Sequence, residues 1–379
     1  MTARDHQRAL DKVARISAQA GDLATLWTGV TEVLADTIPF YWTPCFYTVD
    51  PASILVTSHF HDGLAEFPAE WLRQEYDGQD VHTIADVVAS PSGVTTLHEV
   101  TGGEPRSTRR WQQNIELGGD QEMLARLRTR SGETWGVVGL YREPDRPLFD
   151  AADQTFLREA SPALADGVRR ALLLGEATEP QWPDSPGLVI LGPDLEVDSL
   201  SPGAEEWLDE LADSGPGHLP PAVLSVAKAA VAGAAAGEVS MARALSRHGA
   251  WVVLHGAPLR GDVDGRVAVI IEPANPDRIL PLLMSVYGLT EREKQVVGLV
   301  LQGLPTARIA GRLFVSTSTV QQHLTSIFDK VGVRSRGDLV ARLFFTHYEP
   351  RFRDNEHRTS AQLPMRGGPE PAGEAAGPP

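Results

Sequence analysis

The stretch VSTSTVQQHLTSIFDKV, residues 315 to 331, constrains the fold of this chain more than any other segment. At the helical spacing of about 100° per residue, its apolar and polar side chains separate onto two sides. The apolar side carries Val320, Leu324, Ile327 and Val331. The polar side carries Ser318, Gln321, Gln322 and Thr325. We therefore expect one face to pack in a core and the other to remain available to a partner.

Three further helices are predicted around this one. Thr290 and Glu293 have the spacing of a capping box, and the helix that they begin runs to Leu301, with Gly303 ending it. The segment ARIAGRLF predicts a short second helix, and Ser316 is the expected cap of the third. A fourth helix is expected to start at Ser335 and to close the core with Leu339, Val340 and Leu343.

The runs LTEREKQVVGLVLQGL and RIAGRLFVSTSTVQQHLTSIFDKVGVRSR resemble the LuxR-type helix-turn-helix domain over about 60 residues. The resemblance implies that the third helix enters the major groove of DNA. It places Gln321, Gln322 and Thr325 where the family reads bases, and glutamine can pair with adenine through two hydrogen bonds. Ser318 and Thr319 would donate to phosphate near the helix N-terminus. Lys330, Arg334 and Arg336 would offer positive charge at the other end.

The chain departs from this family pattern at three positions. Gln321 stands where a basic residue is common, Arg308 where an acidic one is usual, and Pro305 where a small polar cap is usual. Losing a cation from the reading face should lower the affinity that does not depend on sequence, and with it the salt dependence of binding. Hydrogen-bond recognition by the helix would remain.

The charge distribution is uneven along the chain. The formal net charge is −16, which normally argues against binding to nucleic acid. Between Leu289 and Phe345, however, eight basic residues stand against four acidic ones, so this segment carries +4 and the remainder −20. Such an asymmetry is typical of a phosphate-binding module joined to acidic domains.

The region before this module predicts an α+β fold. CFYTV and ILVTSHF flank the turn signal Asp50-Pro51, and MLARLRTRSGETWGVVGLYR contains a second hairpin pattern around Ser131-Gly132. A long amphipathic helix follows, with Asp150 or Phe149 near its cap. The order of elements resembles a GAF domain, which would occupy residues 1–177 and would bind a small molecule.

The remaining domain boundaries follow from composition and pattern. Residues 178–186 are rich in proline and acid and predict a linker. Residues 187–275 resemble a PAS domain, with two strands, a helix carrying Ala204, Trp207 and Leu208, and a final strand pair. The helix-turn-helix domain is assigned to residues 280–348, and residues 349–379 are expected to be disordered.

A ligand of the first domain would lie against its sheet. The candidate lining residues are Trp42, Tyr47, His59, His61 and Trp135. His59 and His61 share a face of a strand, because side chains two apart point the same way. We expect a packed or solvent-facing pair there, with a metal or haem as the less favoured alternative. Cys45, the single cysteine, is expected to be a small buried hydrophobe.

The sequence favours a regulator over other function classes. A phosphate-binding GxxxxGK[ST] loop, a nucleophile elbow and a zinc-binding pair are absent, so we expect no enzyme, no cofactor and no metal. The expected partners are double-stranded DNA, a second copy of the chain, RNA polymerase and an unknown small molecule, in the cytoplasm and away from the membrane. The alternative is an adaptor whose C-terminal helices bind a partner protein rather than DNA.

Overall fold

A computed structural model describes residues 2–60, 75–76, 80–174, 183, 185–211, 219–233, 239–259, 265–274, 284–285 and 287–347. The chain divides into two compact units, Met1–Pro273 and Ala274–Pro379. The predicted linker at 178–186 lies mostly outside the described residues, and the tail at 349–379 lies wholly outside them.

The first unit begins with a five-stranded antiparallel sheet in the order β2-β1-β5-β4-β3. Its strands are β1 Cys45–Val49, β2 Val56–Phe60, β3 Val94–Thr96, β4 Gln121–Arg128 and β5 Thr134–Arg142. Both predicted hairpins are confirmed, since β1 pairs with β2 and β4 pairs with β5. Because successive side chains of a strand point to opposite faces, each face of the sheet has its own set of residues.

One face of this sheet packs against long helices. They are α1 Ala3–Gln19, α2 Leu23–Thr37 and, later in the chain, α6 Ala151–Leu174. Trp27 of α2 stacks on Phe46 of β1 with ring centroids 4.3 Å apart. The predicted cap of α6 is confirmed, because the Asp150 side chain accepts hydrogen bonds from the backbone N–H groups of Ala152 and Asp153.

The opposite face carries Cys45, Tyr47, Val137 and Tyr141, all buried. Shorter helices lie in the chain between β2 and β4. They are α3 Ile84–Ala89, α4 Leu97–Val100, a 3-10 turn at Pro105–Ser107, and α5 Arg109–Glu116. Ile84 packs in the same hydrophobic cluster as the four strand residues. Helix α3, which lies between β2 and β4 in the chain, therefore packs on this face through Ile84.

A second five-stranded antiparallel sheet follows in the same unit, in the order β7-β6-β10-β9-β8. Its strands are β6 Gly187–Leu191, β7 Val197–Leu200, β8 Ser240–Leu245, β9 Trp251–Pro258 and β10 Val267–Pro273. Helices α7 Ala204–Leu211 and α8 Pro221–Ala232 accompany it. The predicted helix with Ala204, Trp207 and Leu208 is α7, in which Ala204 and Trp207 are buried and Leu208 is partly buried. Eight of the twelve residues of α8 are buried. Both sheet regions are α+β, as expected.

The second unit contains the four predicted helices. They are α9 Glu291–Leu301, α10 Thr306–Leu313, α11 Thr317–Val331 and α12 Arg336–His347. The capping box at Thr290 and Glu293 is present, and the Ser316 side chain accepts a hydrogen bond from the Thr319 N–H at 3.0 Å. The expected all-α class of this region is confirmed.

The core of the second unit differs from the prediction at one position. Leu339 and Leu343 of α12 are buried, but Val340 is 37% exposed. The expectation that Val340 helps to close the core is therefore wrong. It lies about 100° around the helix from Leu339, which turns it away from the other three helices.

No helix among the described residues is both long enough and apolar enough to cross a lipid bilayer.

Candidate nucleic-acid interface

Helix α11 has one buried face and one exposed face. Val320, Leu324, Ile327 and Val331 are at most 4% exposed and pack against the other three helices. Ser318, Gln321, Gln322 and Thr325 are exposed. The helical spacing predicted this division, because four apolar residues placed along one stripe can be buried only with the intervening polar residues outward.

The exposed face differs in how far its polar groups are already occupied. The hydroxyls of Ser318 and Thr319 lie 2.7 and 2.8 Å from the Ser316 hydroxyl, and the Thr325 hydroxyl donates to the carbonyl of Gln321 at 3.1 Å. The amide side chains of Gln321 and Gln322 make no hydrogen bond to any residue that the structure describes. Within the described part of the chain, no residue competes with an external group for these two amides.

Glu293 fixes the position of α11. Its carboxylate accepts hydrogen bonds from the Ser326 hydroxyl at 2.7 Å, the Lys330 ammonium at 2.6 Å and the Thr290 N–H at 2.7 Å. Burial alone would raise the pKa of Glu293, but these donors outweigh burial and lower the pKa to about 2. The first and third helices are thus joined by a charged carboxylate at the first turn of α9.

Two of the three predicted phosphate-binding cations have partners inside the second unit. Lys330 forms the ion pair with Glu293. The Arg336 guanidinium donates to the carbonyls of Val300 and Leu304, at the C-terminal end of α9, where cations are favoured. Arg334 is exposed. Of the three, Arg334 is the one with no hydrogen bond or ion pair to the described residues.

Arg292 is a structural residue that sequence reasoning did not single out. Its guanidinium donates to the carbonyl of Leu313 at 2.6 Å, which is the last residue of α10. Phe314 follows, and its φ of 55° places its backbone in the left-handed region. Its side chain is 94% exposed. Arg292 thus supplies a hydrogen-bond donor to one of the carbonyls that the C-terminal end of α10 leaves without a helical partner.

A family model described as "Bacterial regulatory proteins, luxR family" matches residues 287–343. Residues 287–343 are a LuxR-family regulatory domain. The matched segment begins at Tyr287 and includes all of α9, α10 and α11. It also contains Glu293, Gln321 and Gln322. The resemblance inferred from the sequence is confirmed for this part of the chain.

Solved structures match parts of the chain at low similarity. The VqmA dimer of Vibrio cholerae, a LuxR-type receptor, is 16% identical, and the match covers 42% of this chain and 82% of that one with a TM-score of 0.20. Bacteriophytochrome RpBphP3 of R. palustris is 15% identical over 72% of this chain and 63% of its own, with a TM-score of 0.28. The DhaR(N)-DhaL complex of E. coli is 10% identical over 72% and 91%, with a TM-score of 0.22. These scores are too low to support a functional argument.

Four of the five predicted ligand residues lie on or beside one face of the first sheet. Tyr47 and His59 are opposite each other in the β1–β2 register, and their rings stack 4.8 Å apart. Trp135 is buried on β5, two residues from Val137, which is the β5 partner of Tyr47. The Trp42 ring lies against Tyr141 of this face in a tilted arrangement, with ring centroids 4.6 Å apart. His61 lies outside the described residues.

The same face carries a buried charge network that sequence reasoning missed. Arg110 of α5 donates to Glu75 at 2.7 Å, to Asp80 at 2.9 Å and to Glu122 of β4 at 3.2 Å. His82 lies 3.0 Å from Glu122. All five side chains are at most 4% exposed. Among the described residues, no group of His, Cys, Asp and Glu has the arrangement of a metal site.

The network makes stability depend on pH through Glu75. Burial raises the pKa of Glu75 to about 7, against the opposing effect of Arg110. Because the folded pKa exceeds the unfolded one, the folded state keeps this proton as pH rises from about 4.5 to about 7 and is progressively destabilised, by about 3 kcal/mol in total. Unfolding of a Glu75→Gln variant should lack this loss. The free energy of unfolding is measured in urea between pH 5 and 8, with the exposed Glu205→Gln as control. Parallel pH profiles of this free energy for wild type and Glu75→Gln would contradict the prediction.

Proposed function

We propose that this chain is a sequence-specific regulator of transcription that reads the major groove with α11. The observation that supports the proposal most strongly is the pair Gln321 and Gln322, exposed and without hydrogen-bond partners among the described residues, on a helix whose opposite face is buried. A glutamine amide can donate to and accept from one adenine edge at the same time. Bases are therefore a suitable partner for these two side chains.

The other predicted contacts follow from their positions. Ser318 and Thr319 lie in the first turn of α11, where N–H groups and the helix dipole favour phosphate, and Thr325 lies one turn beyond Gln321. Arg334 is the best candidate for a phosphate contact after α11. Lys330 and Arg336 would have to share their charge with Glu293 and with the end of α9, so we assign them a weaker contribution.

The test is the affinity of the full chain for a duplex selected by that chain from genomic fragments. Replacing Gln321 and Gln322 together by alanine should weaken binding to this duplex about 10- to 1000-fold, because each base pairing is worth about 1–3 kcal/mol and the two need not add fully. Binding to an unrelated duplex should hardly change, since phosphate contacts dominate there.

Gln302 provides a matched control, because it is an exposed glutamine at the end of α9 in the same unit. Gln302→Ala should bind the selected duplex as wild type does. Equal affinity of the Gln321, Gln322 double variant and Gln302→Ala for the selected duplex would remove the basis for the proposal.

We further propose that the regulator acts as a homodimer. One recognition helix contacts too few base pairs for useful discrimination, and a repeated half-site read by two copies multiplies it. Sedimentation of the full chain with the selected duplex should show two copies per site. One copy per duplex at micromolar concentration would contradict this part of the proposal.

RNA polymerase is the partner that a DNA-bound regulator of this kind would act on.

The first sheet is the proposed sensor. Trp42, Tyr47, His59 and Trp135 lie on or beside the sheet face that carries Val137 and Tyr141. We propose that a small molecule binds there and alters DNA binding. The inner side of the second sheet is lined by apolar residues such as Trp207, Leu254 and Val269, and offers little to orient a polar ligand. The first sheet therefore fits the sensing role better than the second.

A further inference from the structure

The two sheets of the first unit meet at their edges. Strand β2 is an edge of the first sheet, and β8 is an edge of the second. One hydrophobic core continues through both, with Tyr47 and Val56 in the same cluster as Val226 and Leu254. The sheets are thus packed against each other rather than merely linked along the chain.

A buried ion pair joins the β1–β2 turn to β8. Asp50 accepts three hydrogen bonds from Arg243, at 2.9 Å from the backbone N–H, 2.9 Å from Nε and 2.6 Å from a terminal guanidinium nitrogen. The Asp50 side chain is 0% exposed and the Arg243 side chain 7%. Two-point pairing of a carboxylate with a guanidinium is both strong and strict in geometry.

Asp50 also shapes its own turn. Its carboxylate accepts from the Ala52 N–H at 3.0 Å, and its carbonyl accepts from the Ile54 N–H at 2.7 Å. Ile54 has φ of 58°, which is unusual for a β-branched residue. The residue that holds β8 is therefore the residue that sets the hairpin turn of the first sheet.

A second attachment lies on the edge strand β2 itself. The Ser225 hydroxyl of α8 donates to the carbonyl of Val56 at 2.7 Å, and the Val56 N–H donates to the Tyr76 hydroxyl at 3.0 Å. Ser225 is 0% exposed. Helix α8 is thus bonded to the strand that carries His59, and β8 to the turn that follows the strand carrying Tyr47.

We propose that the β1–β2 hairpin is a coupling joint that makes the two sheet regions one cooperative unit, with Asp50 and Arg243 as its main attachment. A change on the Tyr47 and His59 face then reaches α8 and β8 through buried hydrogen bonds. The signalling role of the joint rests on the sensing function proposed above, whereas the cooperativity of the two sheets does not.

Hydrogen exchange of the full chain, measured by mass spectrometry, tests the joint without DNA or ligand. Leu140→Val removes a methylene from a buried residue of β5, remote in register from the hairpin turn. It should speed exchange of the most protected amides of β4 and β5 about 5- to 10-fold. If the sheets are one cooperative unit, the most protected amides of β9 and β10 accelerate by the same factor.

The same substitution in an Asp50→Asn chain distinguishes the role of the ion pair. There Leu140→Val should accelerate β4 and β5 but leave β9 and β10 unchanged. If Asp50→Asn does not fold, Arg243→Lys combined with Ser225→Ala replaces it, since these changes keep charge and nearly keep volume. The proposal is overturned if Leu140→Val leaves β9 and β10 unaffected in the otherwise native chain. It is equally overturned if the coupling is undiminished in the joint variants. Because the exchange experiment uses no DNA, its outcome would stand even if the proposed DNA-binding function were wrong.

Discussion

Replacing Arg110 by methionine is expected to destabilise the first unit by about 3–5 kcal/mol, one of the two largest effects that we predict. Among the described residues, Arg110 is the guanidinium bonded to Glu75, Asp80 and Glu122, and all four side chains are at most 4% exposed. Methionine fills similar space but leaves the buried carboxylates of Asp80 and Glu122 without their cation and the buried Glu75 without its hydrogen-bond donor. Breaking a buried ion pair by removing one partner typically costs this much.

Arg109 supplies the control for this prediction, because it is the preceding residue of α5 and is exposed. Thermal unfolding followed by tryptophan fluorescence should show a midpoint lowered by about 10 °C for Arg110→Met, from about 2–4 °C per kcal/mol in a domain of this size. Arg109→Met should unfold as wild type does. Equal midpoints for the two variants would show that the network contributes nothing to stability.

Replacing Glu293 by alanine is expected to destabilise the second unit by about 2–4 kcal/mol. The change removes the second half of the capping box and leaves Ser326 and Lys330 without their acceptor. A lost cap costs about 1 kcal/mol, and a lost hydrogen bond to a buried charge costs about 1.5–3 kcal/mol. Amide exchange in α11 should accelerate about 30- to 1000-fold, since 1.4 kcal/mol corresponds to a factor of ten.

Glu291→Ala is the matched control for Glu293→Ala. Glu291 is in the same helical turn and pairs with Lys294, but its side chain is 85% exposed, so its loss should change α11 exchange little. Affinity for the selected duplex should fall in Glu293→Ala because α11 loses its fixed position. Unchanged α11 exchange in Glu293→Ala would show that the carboxylate does not hold the third helix.

Local signals in the sequence predicted most of the second unit. Thr290 and Ser316 mark helix starts, because the side chain of each accepts a hydrogen bond from the backbone N–H three residues later. Val320 and Leu324 mark a buried face through their spacing. Both signals act within one or two turns, so they can be read without the fold. Val340 shows the limit of this reading, because a periodic apolar residue at the margin of a stripe is buried only if a neighbouring element covers it.

Long-range pairings could not be predicted in the same way. Lys330 and Arg336 look like phosphate-binding residues in the sequence, yet their partners Glu293 and Leu304 lie more than thirty residues away. Arg110 gives no signal of burial at all, since a lone arginine in a polar helix is usually exposed. The pairings of Lys330 with Glu293 and of Arg336 with Leu304 become recognisable only once the helices are packed.

The central claim is that the polar face of α11 enters the major groove, and crosslinking from that face tests it most directly. A photoreactive amino acid at position 322 of the full chain, bound to the selected duplex, should crosslink to bases of that duplex. The same amino acid at position 302 should not. Crosslinks from position 302 but none from position 322, in a chain that still binds the duplex, would contradict the account.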